Sequence, residues 1–175
     1  MSETEKMTGR NLHRFFRHLA TDHGSVRRAF PKAALAQIET AIAQGETRHR
    51  GQVRFAVEPA LPLSRALRRV TPRERALEVF GLLRIWDTDE NCGVLVYLLL
   101  ADRDVEIVAD RGIHRIVGSD AWETVCRKME AAFRDGRFVE GVVAGITEIN
   151  ALLAQHYPRD GRSGDDELPN RPVVL

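Results

Sequence analysis

Residues Val94 to Leu100 form a nearly unbroken apolar run, VLVYLLL. A run this short and this apolar, bounded by a polar turn at each end, reads as a central strand covered on both faces. Asp102, Arg103 and Asp104 follow as a hairpin turn, and Val105, Ile107 and Ala109 alternate along a returning strand. A strand that needs cover on both sides needs helices to provide it. The rest of the chain is therefore expected to supply two helical layers.

Those helices are legible. Thr71, Pro72 and Glu74 form an N-cap, an N1 proline and a capping-box acid ahead of the stripe Ala76, Leu77, Val79, Phe80, Leu83. Pro31 opens a helix with Ala34, Leu35, Ile38, Ala41 and Ile42 on one face, ending near Gly45. Ser119 caps a helix carrying Trp122, Val125, Cys126, Met129 and Phe133, which Gly136 stops. A last helix runs from Phe138 past Leu153, with Pro158 beyond its end. Leu12, Phe15, Phe16 and Leu19 predict a short helix over about 10 to 20, and 22 to 30 reads as a connector. From Gly51 to Pro59, Val53, Phe55 and Val57 alternate with Gln52, Arg54, Ala56 and Glu58, a strand with one well-buried face.

This order predicts an α/β fold, a three-layer α/β/α sandwich with a small mixed sheet flanked by helices. The crossover helix at 72 to 84 makes the strands beginning at 51 and 93 parallel. Three parts are expected: a basic helical arm over 1–30, the α/β/α domain over 31–158, and a flexible acidic tail containing Pro and Gly over 159–175.

Composition narrows the function. A formal net charge of +1 gives no overall pull toward nucleic acid or anionic lipid. Cys92 and Cys126 lie in apolar periodic segments, as free thiols of a reducing compartment do. The amino terminus is polar, without the apolar stretch of a secretory signal, and Gly93 to Ala101 is too short to span a bilayer. A cytoplasmic protein with no direct membrane span is expected.

Asp87, Asp89 and Asn91 precede the hairpin, and Asp110 follows it. A hairpin reverses direction, so Asp110 should return beside the acidic turn. The parallel first strand places Glu46, His49 and Gln52 at the same sheet edge. Oxygen donors gathered from three segments suit a hard cation such as calcium, which takes six to eight oxygens. The candidate metal ligands are Glu46, Asp87, Asp89, Asn91 and Asp110. The plainer use of such acids is in Asx turns and ion pairs. His49, Arg50 and Arg111 are candidates for phosphate binding or for support around a metal. No catalytic residue can be assigned. Cys92 lacks the arginine six residues on that a cysteine phosphatase requires, and no glycine-rich P-loop or HExxH motif is present.

His13, His18 and His23 recur every five residues, which does not align them on one helix face, and they read as surface histidines. Trp86 and Trp122 fall on apolar stripes and read as core.

Two stretches, QIETAIAQGETRHRGQVRFAVE and VFGLLRIWDTDENCGVLVYLLLADRDVEIVADRGIH, resemble the TPM domain, a family that includes YgcG-like bacterial proteins and a thylakoid-lumen phosphatase-like protein. The resemblance extends from about Pro31 to Pro158. It implies an α/β/α sandwich, calcium or another divalent cation bound by some members, and weak acid phosphatase activity for one. The chain looks like the shorter cytoplasmic form without signal peptide or anchor. That form is associated with a membrane-anchored LemA-like protein and a longer TPM protein, which implies a membrane-associated partner. A cation-binding accessory or interaction module is the leading expectation, and a metal-assisted acid phosphatase the alternative.

Overall fold

The computed structural model describes residues 14–68, 70–159 and 168–175. Helix α1, described over 14–20, leads into α2 (His23–Ala29) and α3 (Lys32–Glu46). Strand β1 (Gln52–Glu58) is followed by α4 (Leu63–Leu67), α5 (Pro72–Leu82), β2 (Gly93–Leu99) and β3 (Asp104–Ala109). Helices α6 (Arg111–Val117), α7 (Ser119–Arg134) and α8 (Phe138–His156) precede a short β4 (Val173–Val174).

The four strands lie in the order β3-β2-β1-β4. β1 runs parallel to β2 and β4, and β2 pairs antiparallel with β3, so the sheet is mixed as expected. Alternating strand residues sort onto two faces. Val53, Phe55, Val57, Val94, Val96, Leu98, Val105 and Ile107 join the core under α3, α7 and α8. Ala56, Leu95, Tyr97, Leu99 and Val108 join a second, smaller core with Ala76 and Val79 of α5. The three-layer α/β/α sandwich is thus present, with β1 buried along its whole length rather than on one face alone.

Helix α8 is long and apolar enough to cross a membrane by length and composition. Its apolar face has a nearer use: Val142, Ile146, Ile149 and Leu153 are fully buried in the main core. The capping box at Thr71 and Glu74 is formed, with Pro72 at N1.

Several expectations are corrected. Residues 23 to 29 are a helix rather than a connector, because Asp22 caps it in a reciprocal box with Ser25. Val26 and Phe30, at the end of the amino-terminal arm, enter the main core. Residues 63 to 67 and 111 to 117 form two further short helices. Of the expected flexible tail, residues 168–175 are described and pack on the domain. Leu168 is buried in the second core and Val173–Val174 extend the sheet. Trp86 is 51% exposed, its ring beneath the Arg84 guanidinium, whereas Trp122 is buried as expected. His18 is buried, accepting the Leu61 N–H at Nδ1, and is no surface histidine. His13 and the arm's Leu12 lie outside the described residues.

Helix α1 packs on the domain through charge. Arg14 and Arg17 pair with Asp102 at 2.8 and 3.0 Å, while Phe16 and Leu19 stay exposed.

Candidate functional site

The register sets the amino end of β1 (Gln52) beside that of β2 (Gly93), and the carboxyl end of β3 (Ala109) beside Val94. Asp110 therefore arrives at the acidic turn, as the hairpin geometry predicts. Its N–H donates to the Gly93 carbonyl at 2.8 Å, and its side chain caps α6 by accepting the Arg111 N–H at Oδ1, 2.6 Å away. The residue is 6% exposed, and Oδ2 has no hydrogen-bond donor. A buried carboxylate oxygen left without a donor costs about 1–3 kcal/mol or more unless something satisfies it.

The turn at 88 to 92 meets the first turn of the helix that this carboxylate caps, the Ile113 N–H donating to the Asn91 carbonyl at 3.3 Å. Thr88 Oγ1 accepts the Cys92 N–H at 3.2 Å, and the Asn91 N–H donates to the Thr88 carbonyl at 3.2 Å. Asn91 takes a left-handed φ of 53°, a conformation its short polar side chain tolerates. The turn's carbonyls point at α6. A Cβ at Gly112 would lie 2.5 Å from the Asn91 carbonyl oxygen, 2.8 Å from that of Glu90 and 2.9 Å from the Tyr157 hydroxyl. Only glycine allows this approach, and it brings three oxygens to the base of the helix that Asp110 begins.

Arg50 borders the same space. Its Nη1 donates to Glu90 Oε1 at 2.6 Å and its backbone N–H to the Tyr157 carbonyl at 2.9 Å, while Nε is buried without an acceptor. Cys92 is buried, its thiol donating to the Arg50 carbonyl at 3.6 Å. Burial raises the Tyr157 hydroxyl above its ordinary pKa, the charges of Glu90 and Asp110 add to this, and Arg50 opposes it.

The remaining predicted residues are placed elsewhere. Glu46 is buried at the end of α3, where its carboxylate accepts the Val53 N–H at 3.0 Å. His49 is fully buried and bonded to α8, with Nε2 3.1 Å from Asn150 Oδ1 and Nδ1 3.1 Å from the Gly51 carbonyl. Asp87 is exposed and paired with Arg84 at 2.8 Å. Asp89 and Arg111 are also exposed. Among the described residues no three His, Cys, Asp or Glu side chains are grouped so as to hold a metal ion. The edge therefore unites Asp110 with the Asn91 carbonyl, and leaves Asp87 and Glu46 committed to other partners.

Two contributors escaped the sequence reading. Glu90 stands within the acidic turn and could have been included with its neighbours. Tyr157 carries no local signal, because it reaches the site only through the length and packing of α8.

A family model described as the TPM domain matches residues 27–152. The NMR structure of the BA42 protein from the psychrophilic bacterium Bizionia argentinensis is similar, with a TM-score of 0.72 and 29% identity. The match covers 82% of this chain and 93% of that one. No curated protein matches this chain.

Proposed function

Because this chain belongs to the TPM domain family, we propose that it is an accessory binding module whose 88–92 turn and Asp110 take up a hard divalent cation such as calcium. The observation that carries this reading is Asp110 Oδ2, buried and without a donor at the start of α6, the helix whose Gly112 lies against the carbonyls of Glu90 and Asn91. Calcium accepts mixed shells of carboxylate, carbonyl, hydroxyl and water oxygens. Asp110, the two carbonyls and the Tyr157 hydroxyl are such donors, and Asp89 and Asn91 add side chains from the exposed turn. Glu90 would join them on release from Arg50. In this reading Asp87 and Glu46 are not ligands, since each already has a partner.

A cation bound at this turn fixes the junction of β2, β3 and α6, which suits a module that presents a surface to another protein. The membrane-associated partner, LemA-like or a longer TPM protein, follows from the family resemblance. Weak metal-assisted acid phosphatase activity draws less support. Arg50 is engaged by Glu90 rather than held ready for phosphate, and the Cys92 thiol is sealed in the core.

Thermal unfolding in millimolar Ca²⁺ against EDTA tests the reading. At a hundredfold excess over Kd, binding would stabilise the fold by about 2.7 kcal/mol. That is a rise of several degrees in Tm for a chain of this size. Asp110→Asn keeps an equally good helix cap and should abolish the rise. An unchanged Tm in Ca²⁺ would overturn the proposal.

A further inference from the structure

The β1 side of the sheet is covered by residues 168–175, and only part of that cover pairs with the strand. β4 pairs only with Ala56 and Val57, so among the described residues no strand is paired with Gln52 to Phe55 on that side. The Leu175 N–H donates to the Val57 carbonyl at 3.0 Å, and the Leu168 N–H to Gln52 Oε1 at 3.0 Å. Between these two points of attachment lie Pro169 and Pro172, which have no N–H to give a strand ladder. Beside the segment a cleft of about 890 Å³ opens between α3 and β1, lined by Lys32, Leu35, Glu39, Arg54 and Arg171 among others. The family match ends at residue 152, before this segment begins.

We propose that the outer edge of β1 is a strand-acceptor site for an extended peptide of a partner protein, and that residues 168–175 occupy it in cis as a weak self-ligand. The seated segment defines what the site accepts. The strand runs parallel to β1, places an aliphatic anchor where Leu168 is buried, and sets β-branched residues against Ala56 and Val57. A sheet edge gives affinity through main-chain hydrogen bonds and specificity through pockets for alternate side chains. The resident segment satisfies the anchor and one end of the ladder. A strand without the two prolines has more of β1 to pair with and displaces it. Edge strands left open invite association, and cover by a short strand is a way of restricting it. This inference stands apart from the cation reading, which rests on Asp110 and the 88–92 turn at the ends of β2 and β3 and not on the outer edge of β1.

The test uses the full-length chain and two labelled octapeptides, one with the sequence of residues 168–175 and one with threonine in place of both prolines. Fluorescence anisotropy should show the proline-free peptide binding at least tenfold more tightly. Leu168→Asp, which loosens the resident segment, should tighten binding of both by a further tenfold. Leu175→Pro, which removes the N–H given to Val57 without burying a charge, should act in the same direction. Amide shifts should concentrate at Gln52 to Val57. Absence of binding at millimolar peptide by either folded variant would overturn the proposal. Concentration-dependent dimers, joined by an intermolecular disulfide in the Ala56→Cys/Val173→Cys chain and blind to peptide, would overturn it in favour of a second copy.

Discussion

Asn150 of α8 and His49, one hundred and one residues apart, meet side chain to side chain in the core at 3.1 Å. The Asn150 amide nitrogen donates to the Ala41 carbonyl at 3.1 Å, which turns its oxygen toward the imidazole Nε2, while Nδ1 faces the Gly51 carbonyl. One amide thus ties the last helix both to α3 and to the segment leading into β1.

The tie explains a glycine in the last turn of α3. A Cβ at Gly45 would lie 2.1 Å from the Asn150 side chain. Alanine is favoured over glycine within a helix by about 1 kcal/mol. Overpacking a closed core costs about 1–3 kcal/mol, and here it also dislodges a hydrogen-bonded buried amide. The clash should win. Gly45→Ala is expected to lower stability by about 1–3 kcal/mol in urea unfolding, whereas Gly81→Ala, with open space at its Cβ, should raise it.

His49 should make stability depend on pH. Burial holds its imidazole below the ordinary histidine value; Arg48 and Arg159 add to this, and the contacts to Asn150 and Gly51 oppose it. The unfolded chain then takes up its proton first. The stability linked to this group is fully present above pH of about 6.5 and falls as pH drops through the folded-state value. His49→Gln should flatten the Tm profile between pH 7.5 and 5. An equally steep profile in the variant would assign the dependence to another group.

The sequence pattern exposed the hydrophobic layers and concealed the closures. Val94 to Leu100 and the Thr71 capping box announce their structures, because a continuous apolar run and a reciprocal cap have few other uses. The helix at 23 to 29 was hidden because Ser25 stands where a capping-box acid is usually sought. β4 was hidden because two paired residues among prolines produce no periodicity. At the site, hairpin topology brought Asp110 to the 88–92 turn, while Glu46 arrived nearby with its carboxylate already taken by the Val53 N–H. Spacing reports where a side chain arrives, and hydrogen bonding decides whether it is free to act.

A second titration should run opposite to that of His49. Asp104 begins β3 with Oδ1 buried and without a partner. Burial first, then the charges of Glu106, Glu130 and Asp102, push its carboxyl up to about 7, against the pull of Arg14. The folded state keeps this proton after the unfolded chain has lost it. The linked stability is present below the ordinary aspartate value, declines as pH rises from about 4, and is gone above 7. Asp104→Asn should therefore stabilise the fold at pH 8, by about 1 kcal/mol once solvent screening is allowed for, with a matching rise in Tm, and have least effect near pH 4. A variant less stable at pH 8 would show that the carboxylate serves a contact of its own.

The second core holds a buried carboxylate whose partners can be ranked. Glu58 accepts the Tyr97 hydroxyl at 2.6 Å and the Arg75 guanidinium at 2.8 and 3.1 Å. Tyr97→Phe removes one hydrogen bond to a charge, which costs about 1.5–3 kcal/mol, and leaves the ion pair in place. Arg75→Met leaves a negative charge in the core with the phenol alone, a loss of about 3–5 kcal/mol. If the cost of the second change lies in the stranded charge, removing that charge should recover part of it. Glu58→Leu in the Arg75→Met background is then expected to be more stable than Arg75→Met alone, since apolar replacement of a whole buried pair is often neutral. Urea midpoints for the three proteins decide the matter. A double variant less stable than the single one would mean that Glu58 holds the ends of β1 and β2 together through Tyr97 even without its arginine.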